Sequence, residues 1–167
     1  MGEGYNFANF KKAILSLSVS PDWDTAKAEW QLHMVYEDPS DRSCKCEHSP
    51  IHQICVIKNS GNSKLAEVGN VCVQKFLRLM SNRIFSVIRR LRWDINKSLN
   101  PKALDLFEER NVISFDEKQD YLRYWRRRKN MSDDQKAQKL AINERILAYV
   151  DKATAEMIAA SNAMLAK

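Results

Sequence analysis

The amino-acid sequence predicts an α+β fold that is mostly α-helical and carries one small β-hairpin module. Along most of the chain, apolar residues recur at steps of three and four, which is the period of one helix face. Patterns typical of strands fall between residues 30 and 68, divided by turn-forming residues. Cys44, Cys46, His48 and Cys72 lie in or directly after this segment, and thiolate and imidazole groups are typical zinc ligands. We therefore expect a bound zinc ion to stabilise the hairpin.

The length and composition are those of an ordinary soluble protein. At 167 residues, the chain fits one domain, or one small module fused to a helical body. Apolar residues make up 44% of the sequence and charged residues 29%, which disfavours disorder except at the ends. No apolar run approaches the length of a membrane span, and the first residues lack the basic and apolar parts of a secretion signal. We expect a cytoplasmic protein.

Residues 1–29 are predicted to form N-terminal helices. Ser20 and Pro21 suit the N-cap and the first position of a second helix, which runs to about Glu29. One face of the first helix is apolar and consists of Phe7, Phe10, Ile14 and Leu17.

Residues 30–93 are predicted to form the zinc-binding β-hairpin module and a long basic helix. A strand over residues 30–37 leads into a turn at residues 38–41. The hairpin follows, with strands over residues 51–58 and 64–68 on either side of a turn. Asn70 then caps a single helix that runs to about Trp93. Its polar side is cationic and carries Lys75, Arg78, Arg89 and Arg92.

Residues 94–167 are predicted to form a C-terminal helical region. Asn100 and Pro101 begin a short helix that ends near Glu109. Ser114 with Glu117, and Ser132 with Gln135, are capping boxes that open two further helices, the first with Leu122 and Trp125 pointing inward. If the last helix continues to the chain end, it is about 50 Å long at 1.5 Å per residue. Its apolar positions then need a hinge or a partner, such as the same helix of a second chain: Leu140, Leu147, Val150, Met157, Ile158, Met164 and Leu165.

The predicted zinc ligands come from two places in the chain. Cys44, Cys46 and His48 lie on one turn, and Cys72 lies in the first turn of the following helix, where the positive helix end favours a thiolate. A turn, a hairpin and a helix-borne ligand in this order are typical of a treble-clef-like zinc fold. His52 competes with His48 for the fourth position, and a reduced, metal-free turn is the alternative. Cys55 lies mid-strand and is predicted to be a buried small apolar residue.

The net charge of +6 is concentrated in the middle of the chain. Residues 71–130 hold 15 Lys and Arg against seven Asp and Glu, whereas the flanking segments are mildly acidic or neutral. This pattern favours one cationic surface that binds nucleic acid, although an acidic protein surface would fit it as well. Trp125 is followed by the run Arg126, Arg127, Arg128 and Lys129, and with Tyr121 and Tyr124 it could stack on bases. The alternative is a solvated helix face with the aromatic rings in the core.

The motifs of common enzyme classes are missing from the sequence. There is no glycine-rich phosphate loop, no zinc-protease helix motif and no deaminase signature. A zinc ion with four protein ligands also leaves no position for a reactive water. We therefore predict a protein without enzymatic activity.

Part of the chain resembles a small zinc-binding module of phage and mobile-element proteins. The matching residues are the pattern Cys44-x-Cys46-x-His48, then Val68-Gly69-x-x-Cys72 with Phe76, and a weaker similarity at Ser132-x-x-Gln135. Glu47 stands where a glycine commonly follows the second cysteine. The resemblance implies a metal site and a phage or plasmid setting, and it implies no defined activity.

Two functions are compatible with these features. The first is a non-enzymatic protein that binds DNA or RNA through its cationic helices. The second is a phage-encoded regulator or inhibitor that binds a host protein, such as a nuclease, a polymerase or a defence factor, through the same surface or the long C-terminal helix.

Overall fold

The computed structural model describes residues 4–167, and the α+β class is confirmed there. Within these residues the chain forms seven helices and one three-stranded antiparallel sheet. The chain packs as two compact units, Met1–Asn82 and Arg83–Lys167. Among the described helices, none combines the length and the apolar character that crossing a bilayer requires. The first residues of the chain are predicted to lack a secretion signal. Residues 1–3 of this stretch lie outside the described part.

Two helices precede the sheet in the first unit, α1 (Tyr5–Leu17) and α2 (Trp23–Ala28). Phe10 and Ile14 of α1 are fully buried, in agreement with the predicted apolar face. The predicted start of α2 at Ser20 and Pro21 is wrong, because Asp22 is the N-cap and its side chain accepts a hydrogen bond from the Thr25 backbone N–H. A carboxylate is a strong cap, so the helix begins after Asp22.

The sheet has the order β1 (Trp30–Arg42), β2 (Ile51–Asn59) and β3 (Leu65–Gly69). The β2–β3 hairpin agrees with the predicted one to within a residue at each end. The predicted turn at residues 38–41 is instead an irregular part of β1, where Asp38 accepts hydrogen bonds from the backbone and hydroxyl groups of Ser40. Two register shifts in the β1–β2 ladder flank the regular part, so β1 does not alternate strictly between buried and exposed residues.

The predicted single helix from Asn70 to Trp93 is wrong, because the chain forms α3 (Asn70–Phe76) and α4 (Ser81–Trp93) instead. Arg78 adopts a φ of 57°, in the left-handed region that ends helices. The backbone N–H groups of Leu77 and Leu79 both donate to the Val73 carbonyl, which closes the last turn of α3. The cationic residues therefore do not share one helix face.

The second unit contains α5 (Pro101–Glu109), α6 (Phe115–Tyr124) and α7 (Asp133–Leu165), together with most of α4. The predicted N-caps at Asn100, Ser114 and Ser132 are all confirmed, and both capping boxes are complete. The predicted inward residues of α6 are wrong. Tyr121 and Tyr124 are buried, whereas Leu122 and Trp125 are only partly covered.

Helix α7 is buried only in its first half. Its buried positions end at Val150, while Met157 and Ile158 are partly covered. Met164 and Leu165 near the C-terminus are 80% and 82% exposed. The last four turns therefore contribute little to the core of the second unit.

Candidate metal centre and cationic surface

The side chains of Cys44, Cys46 and Cys72 form one buried cluster in the first unit. All three Sγ atoms lie within 4.8 Å of one another, and the Sγ atoms of Cys46 and Cys72 are 3.4 Å apart. In a tetrahedral zinc site with Zn–S bonds of 2.3 Å, two sulfur ligands lie about 3.8 Å apart. The cluster therefore fits a zinc-sized ion with little adjustment.

The fold brings these sulfurs together from two segments, and the end of β3 lies against them. Residues 44–48, which we call the cysteine knuckle, connect β1 to β2, and two backbone hydrogen bonds between Cys44 and the pair Glu47 and His48 close their turn. Gly69, at the end of β3, directs its backbone N–H at the Cys44 sulfur at 3.2 Å. Cys72 lies in the first turn of α3, directly after the hairpin returns to the knuckle. An N–H aimed at sulfur stabilises a thiolate, as a metal ligand requires.

Glu47 holds the knuckle in a conformation that usually needs glycine. Its φ is 68°, in the left-handed region. The Glu47 carboxylate accepts a hydrogen bond of 2.5 Å from the Tyr5 hydroxyl and one of 3.0 Å from the Asn9 amide. Helix α1 thus fixes the residue that replaces the expected glycine, and these contacts offset part of the backbone strain.

The three thiols differ in acidity. Hydrogen bonds from the Cys72 thiol and from the backbone N–H groups of Cys46 and Gly69 lower the pKa of Cys44 to about 5. The neighbouring Cys44 thiolate raises the pKa of Cys72, and burial raises the pKa of Cys46. A metal ion binds cysteine as the thiolate, so its affinity for the cluster would fall as the pH falls.

The two candidate histidine ligands lie beside this cluster and outside it. His48 and His52 both line a cavity of about 430 Å³ that also exposes the three cysteines. Both side chains are exposed, and neither belongs to the group whose ligand atoms lie within 4.8 Å of one another in the described residues. His52 Nδ1 is 3.1 Å from the Asp38 carbonyl oxygen, whereas His48 is the last residue of the knuckle.

Cys55 is fully buried in β2, as predicted, and takes no part in the cluster. Burial raises the pKa of its thiol to about 12. Its sulfur faces Asn70, which the sequence had suggested as a helix cap. The Asn70 side chain instead donates to Gln53 and accepts from Ser81, so it connects β2 and the first turns of α3 and α4. The sequence does not predict this hydrogen-bond network, because its members are common polar residues that are far apart in the chain and follow no recognisable spacing.

The four cationic residues that were predicted to share one helix over residues 70–93 lie on different elements of the structure. Lys75 is exposed on α3 and its ammonium lies 5.5 Å from the Phe76 ring, while Arg78 lies in the connection after α3. Arg89 and Arg92 are exposed on α4, and Arg92 is paired with Asp151 of α7 at 2.7 Å. These residues are not brought together into one patch by a shared helix.

The run Arg126–Lys129, which we call the cationic loop, lies between α6 and α7. All four side chains are exposed, and none of them is paired with a carboxylate in the part of the chain that the structure describes. The Arg126 guanidinium lies over the Trp125 ring at 4.8 Å. Tyr121 and Tyr124 are core residues whose hydroxyls bond to Asn143 and Gln138, so they are not free to stack on bases.

The net charge belongs to the second unit. Residues 83–167 contain 18 Lys and Arg and 12 Asp and Glu, a net charge of +6, whereas residues 1–82 contain nine of each. The cysteine cluster therefore lies in a neutral unit, and the candidate polyanion-binding residues lie mostly in a cationic one.

Comparison of the chain with family models, with curated proteins and with solved structures finds no match. The phage setting implied by the resemblance of the cysteine pattern stays a prediction.

Proposed function

We propose that this protein is a non-enzymatic, zinc-stabilised protein that binds nucleic acid through the cationic surface of its second unit. Two parts of the molecule support the two halves of this proposal. The cysteine cluster supports zinc binding, and the charge distribution with the unpaired cationic loop supports nucleic-acid binding. The observation that carries the function is the cationic loop, since its four exposed cations have no carboxylate partner among residues 4–167 and are suited to phosphate.

Cys44, Cys46, Cys72 and His48 are the proposed zinc ligands. The order of knuckle, hairpin and helix-borne cysteine supports the treble-clef-like arrangement. His48 follows Cys46 by two residues on the same turn and lines the same cavity as the three cysteines, which supports it as the fourth ligand. The bound ion would supply folding free energy to the first unit, which has only three strands and short helices beside its cysteines.

Elemental analysis of the purified protein tests the zinc proposal, with one zinc per chain expected. Cys72→Ser should lose the metal and much of the stability of the first unit. Cys55→Ala is the control, because this cysteine is also buried and lies outside the cluster. Retention of stoichiometric zinc by Cys72→Ser would contradict the proposed ligand set. Loss of zinc in His52→Ala but not in His48→Ala would assign the fourth position to His52.

Fluorescence anisotropy with labelled DNA and RNA tests the nucleic-acid proposal. Replacing Arg126, Arg127 and Arg128 by alanine should weaken binding nearly uniformly across sequences, and each lost phosphate contact should lower the log–log salt slope by about 0.7–0.9. The control variant replaces three exposed lysines that do not belong to the loop, Lys12, Lys64 and Lys152, and removes the same charge. Equal losses in both variants would mean that net charge alone, rather than the cationic loop, determines the affinity.

The second candidate function is regulation of a host protein, and the end of α7 is the observation that favours it. Apolar side chains at the C-terminal end of a long helix are exposed, which suits docking into a groove of a partner. A stoichiometric complex with one host protein that survives nuclease treatment, together with no affinity for DNA or RNA at low salt, would favour this candidate over the first.

A further inference from the structure

Trp93 is the most exposed large apolar side chain in residues 4–167, with 90% of its surface accessible. It is the last residue of α4, directly before the turn at residues 94–98. A tryptophan in a core or in an internal aromatic cluster loses most of its accessible surface, as Trp30 does at 2% exposure. The Trp93 ring therefore serves no packing purpose in the second unit, and a large rigid apolar ring is free for an external contact.

The surroundings of this ring are cationic. Arg89 and Arg90 precede Trp93 by four and three residues, so they lie on the same side of α4, and both are exposed. The carboxylate of Asp94, the nearest acidic residue in sequence, is 3.6 Å from the Lys97 ammonium and accepts a hydrogen bond from the Asn96 backbone. Arg90 also donates a hydrogen bond to the Ser98 carbonyl oxygen at 3.5 Å. A partner suited to this surface combines negative charge, for the guanidinium groups, with a flat face that can lie on the indole.

We propose that Trp93, with Arg89 and Arg90, forms a stacking site for an unpaired base of single-stranded nucleic acid. The inference rests on the proposed function and narrows it from nucleic acid in general to single strands at this site. Phosphate groups supply the charge that the arginines attract, and the base supplies the flat face. A base in a duplex is stacked on its neighbours and cannot lie on the ring, so duplex DNA would gain only the phosphate contacts.

This site is distinct from the cationic loop. The end of α6, where the loop begins, lies beside Gln138 of α7 through the Tyr124 hydroxyl. The end of α4 lies beside Asp151 of α7 through Arg92. These two positions on α7 are about 20 Å apart along the helix axis at 1.5 Å per residue. Variants of Trp93 and of the loop should therefore act independently.

Trp93→Ala tests the site, measured by anisotropy against a deoxythymidine oligonucleotide of about 12 nucleotides, a length within the known range of single-strand sites, and against a duplex of the same length. We expect the affinity for the single strand to fall roughly 5- to 150-fold, which is the effect of removing one stacking ring, and the affinity for the duplex to fall less than about twofold. Trp93→Phe should restore most of the single-strand affinity. Phe115→Ala is the control, since Phe115 is also an exposed ring of the second unit but precedes Asp116 and Glu117.

Each other result overturns the inference in a recognisable way. If the wild type binds the single strand and Trp93→Ala binds it equally well, the stacking site is wrong and the proposed function stands. Equal losses of affinity for the single strand and for the duplex would show that Trp93 does not stack on an unpaired base, and would overturn the site. A lowered melting temperature of Trp93→Ala would show that the ring belongs to the fold. If the wild type binds neither probe at low salt, the proposed function fails and the stacking site fails with it.

Discussion

Glu47 allows a quantitative test of how the cysteine knuckle is stabilised. A residue with a Cβ atom in the left-handed region costs about 1 kcal/mol relative to glycine. Two hydrogen bonds to its carboxylate, from Tyr5 and Asn9, work in the opposite direction. Both are exposed to solvent, so together they contribute about 1 kcal/mol rather than the larger value of buried charged pairs. The strain and its compensation are therefore of similar size.

Three variants separate the two contributions. Glu47→Ala removes the hydrogen bonds and keeps the strain, so we expect a loss of about 1 kcal/mol in the free energy of unfolding. Glu47→Gly removes both, and it should be more stable than Glu47→Ala by up to about 1 kcal/mol, less the backbone entropy that glycine adds to the unfolded chain. Tyr5→Phe should destabilise the wild type by several tenths of a kcal/mol and have no effect in the Glu47→Ala background.

Urea unfolding of the zinc-loaded protein measures all of these differences. The double-mutant cycle needs only the midpoints and slopes of four curves, and the zinc content of each sample serves as the control for an intact site. A glycine variant at position 47 that is less stable than the alanine variant by about 1 kcal/mol, the full entropic cost of glycine, would refute the strain argument. An undiminished cost of Tyr5→Phe in the Glu47→Ala background would refute the coupling between α1 and the knuckle.

Two further predictions concern the second unit. Deleting residues 153–167 should leave the zinc content and the melting temperature nearly unchanged, because the buried positions of α7 end at Val150. Light scattering that shows a monomer both before and after the deletion would exclude self-association through this helix. Arg145, 2.9 Å from the Glu117 carboxylate, and the Ser114 backbone lower the pKa of Glu117 below its ordinary value of 4.5. A lowered carboxyl pKa contributes stability that is complete well above pH 4.5 and is lost as the pH falls below it. Glu117→Gln should therefore make the melting temperature depend less on pH in this acid range, which thermal melts at several pH values measure.

The helices of the second unit could be predicted from sequence because their boundaries depend on local chemistry. Asn100, Ser114 and Ser132 each cap a backbone N–H three residues further along. Such a contact needs no tertiary structure, and the residue types and spacing alone identify it. The buried face of α6 could not be identified in this way. Tyr121 and Tyr124 are buried there because their hydroxyls find partners in the core, notably Asn143, which lies 22 residues away from Tyr121.

The break between α3 and α4 had no signal in the sequence. Helix α3 is followed by Arg78 in the left-handed region, and an arginine at this position does not predict a helix end as glycine or asparagine would. Residues 71–93 also contain neither glycine nor proline. The break is stabilised from a distance, since the hydroxyl of Ser81 donates to the Asn70 side chain 11 residues earlier. A tertiary contact thus overrides a continuous apolar period, and the period alone predicts one long helix.

The cysteine cluster could be predicted for a topological reason. A hairpin returns the chain to its starting edge, so Cys72 after β3 necessarily approaches the knuckle before β2. The support of Glu47 could not be predicted, because Tyr5 lies 42 residues away and its hydroxyl has no recognisable spacing. Backbone strain at a single residue becomes visible only from the dihedral angle itself.

The proposed zinc centre and the proposed cationic surface have different roles, because the charge of the zinc centre is unsuited to binding phosphate. Zinc carries two positive charges, and three cysteine thiolates carry three negative ones, so the centre with a neutral histidine would be an anion. Such a centre repels phosphate, and the unit around it has no net charge to compensate. Electrostatic attraction between exposed groups is largely screened beyond about 10 Å at moderate salt. Under the proposed function, exposed arginines of the second unit would therefore attract phosphate, and the role of the metal would be to keep the first unit folded.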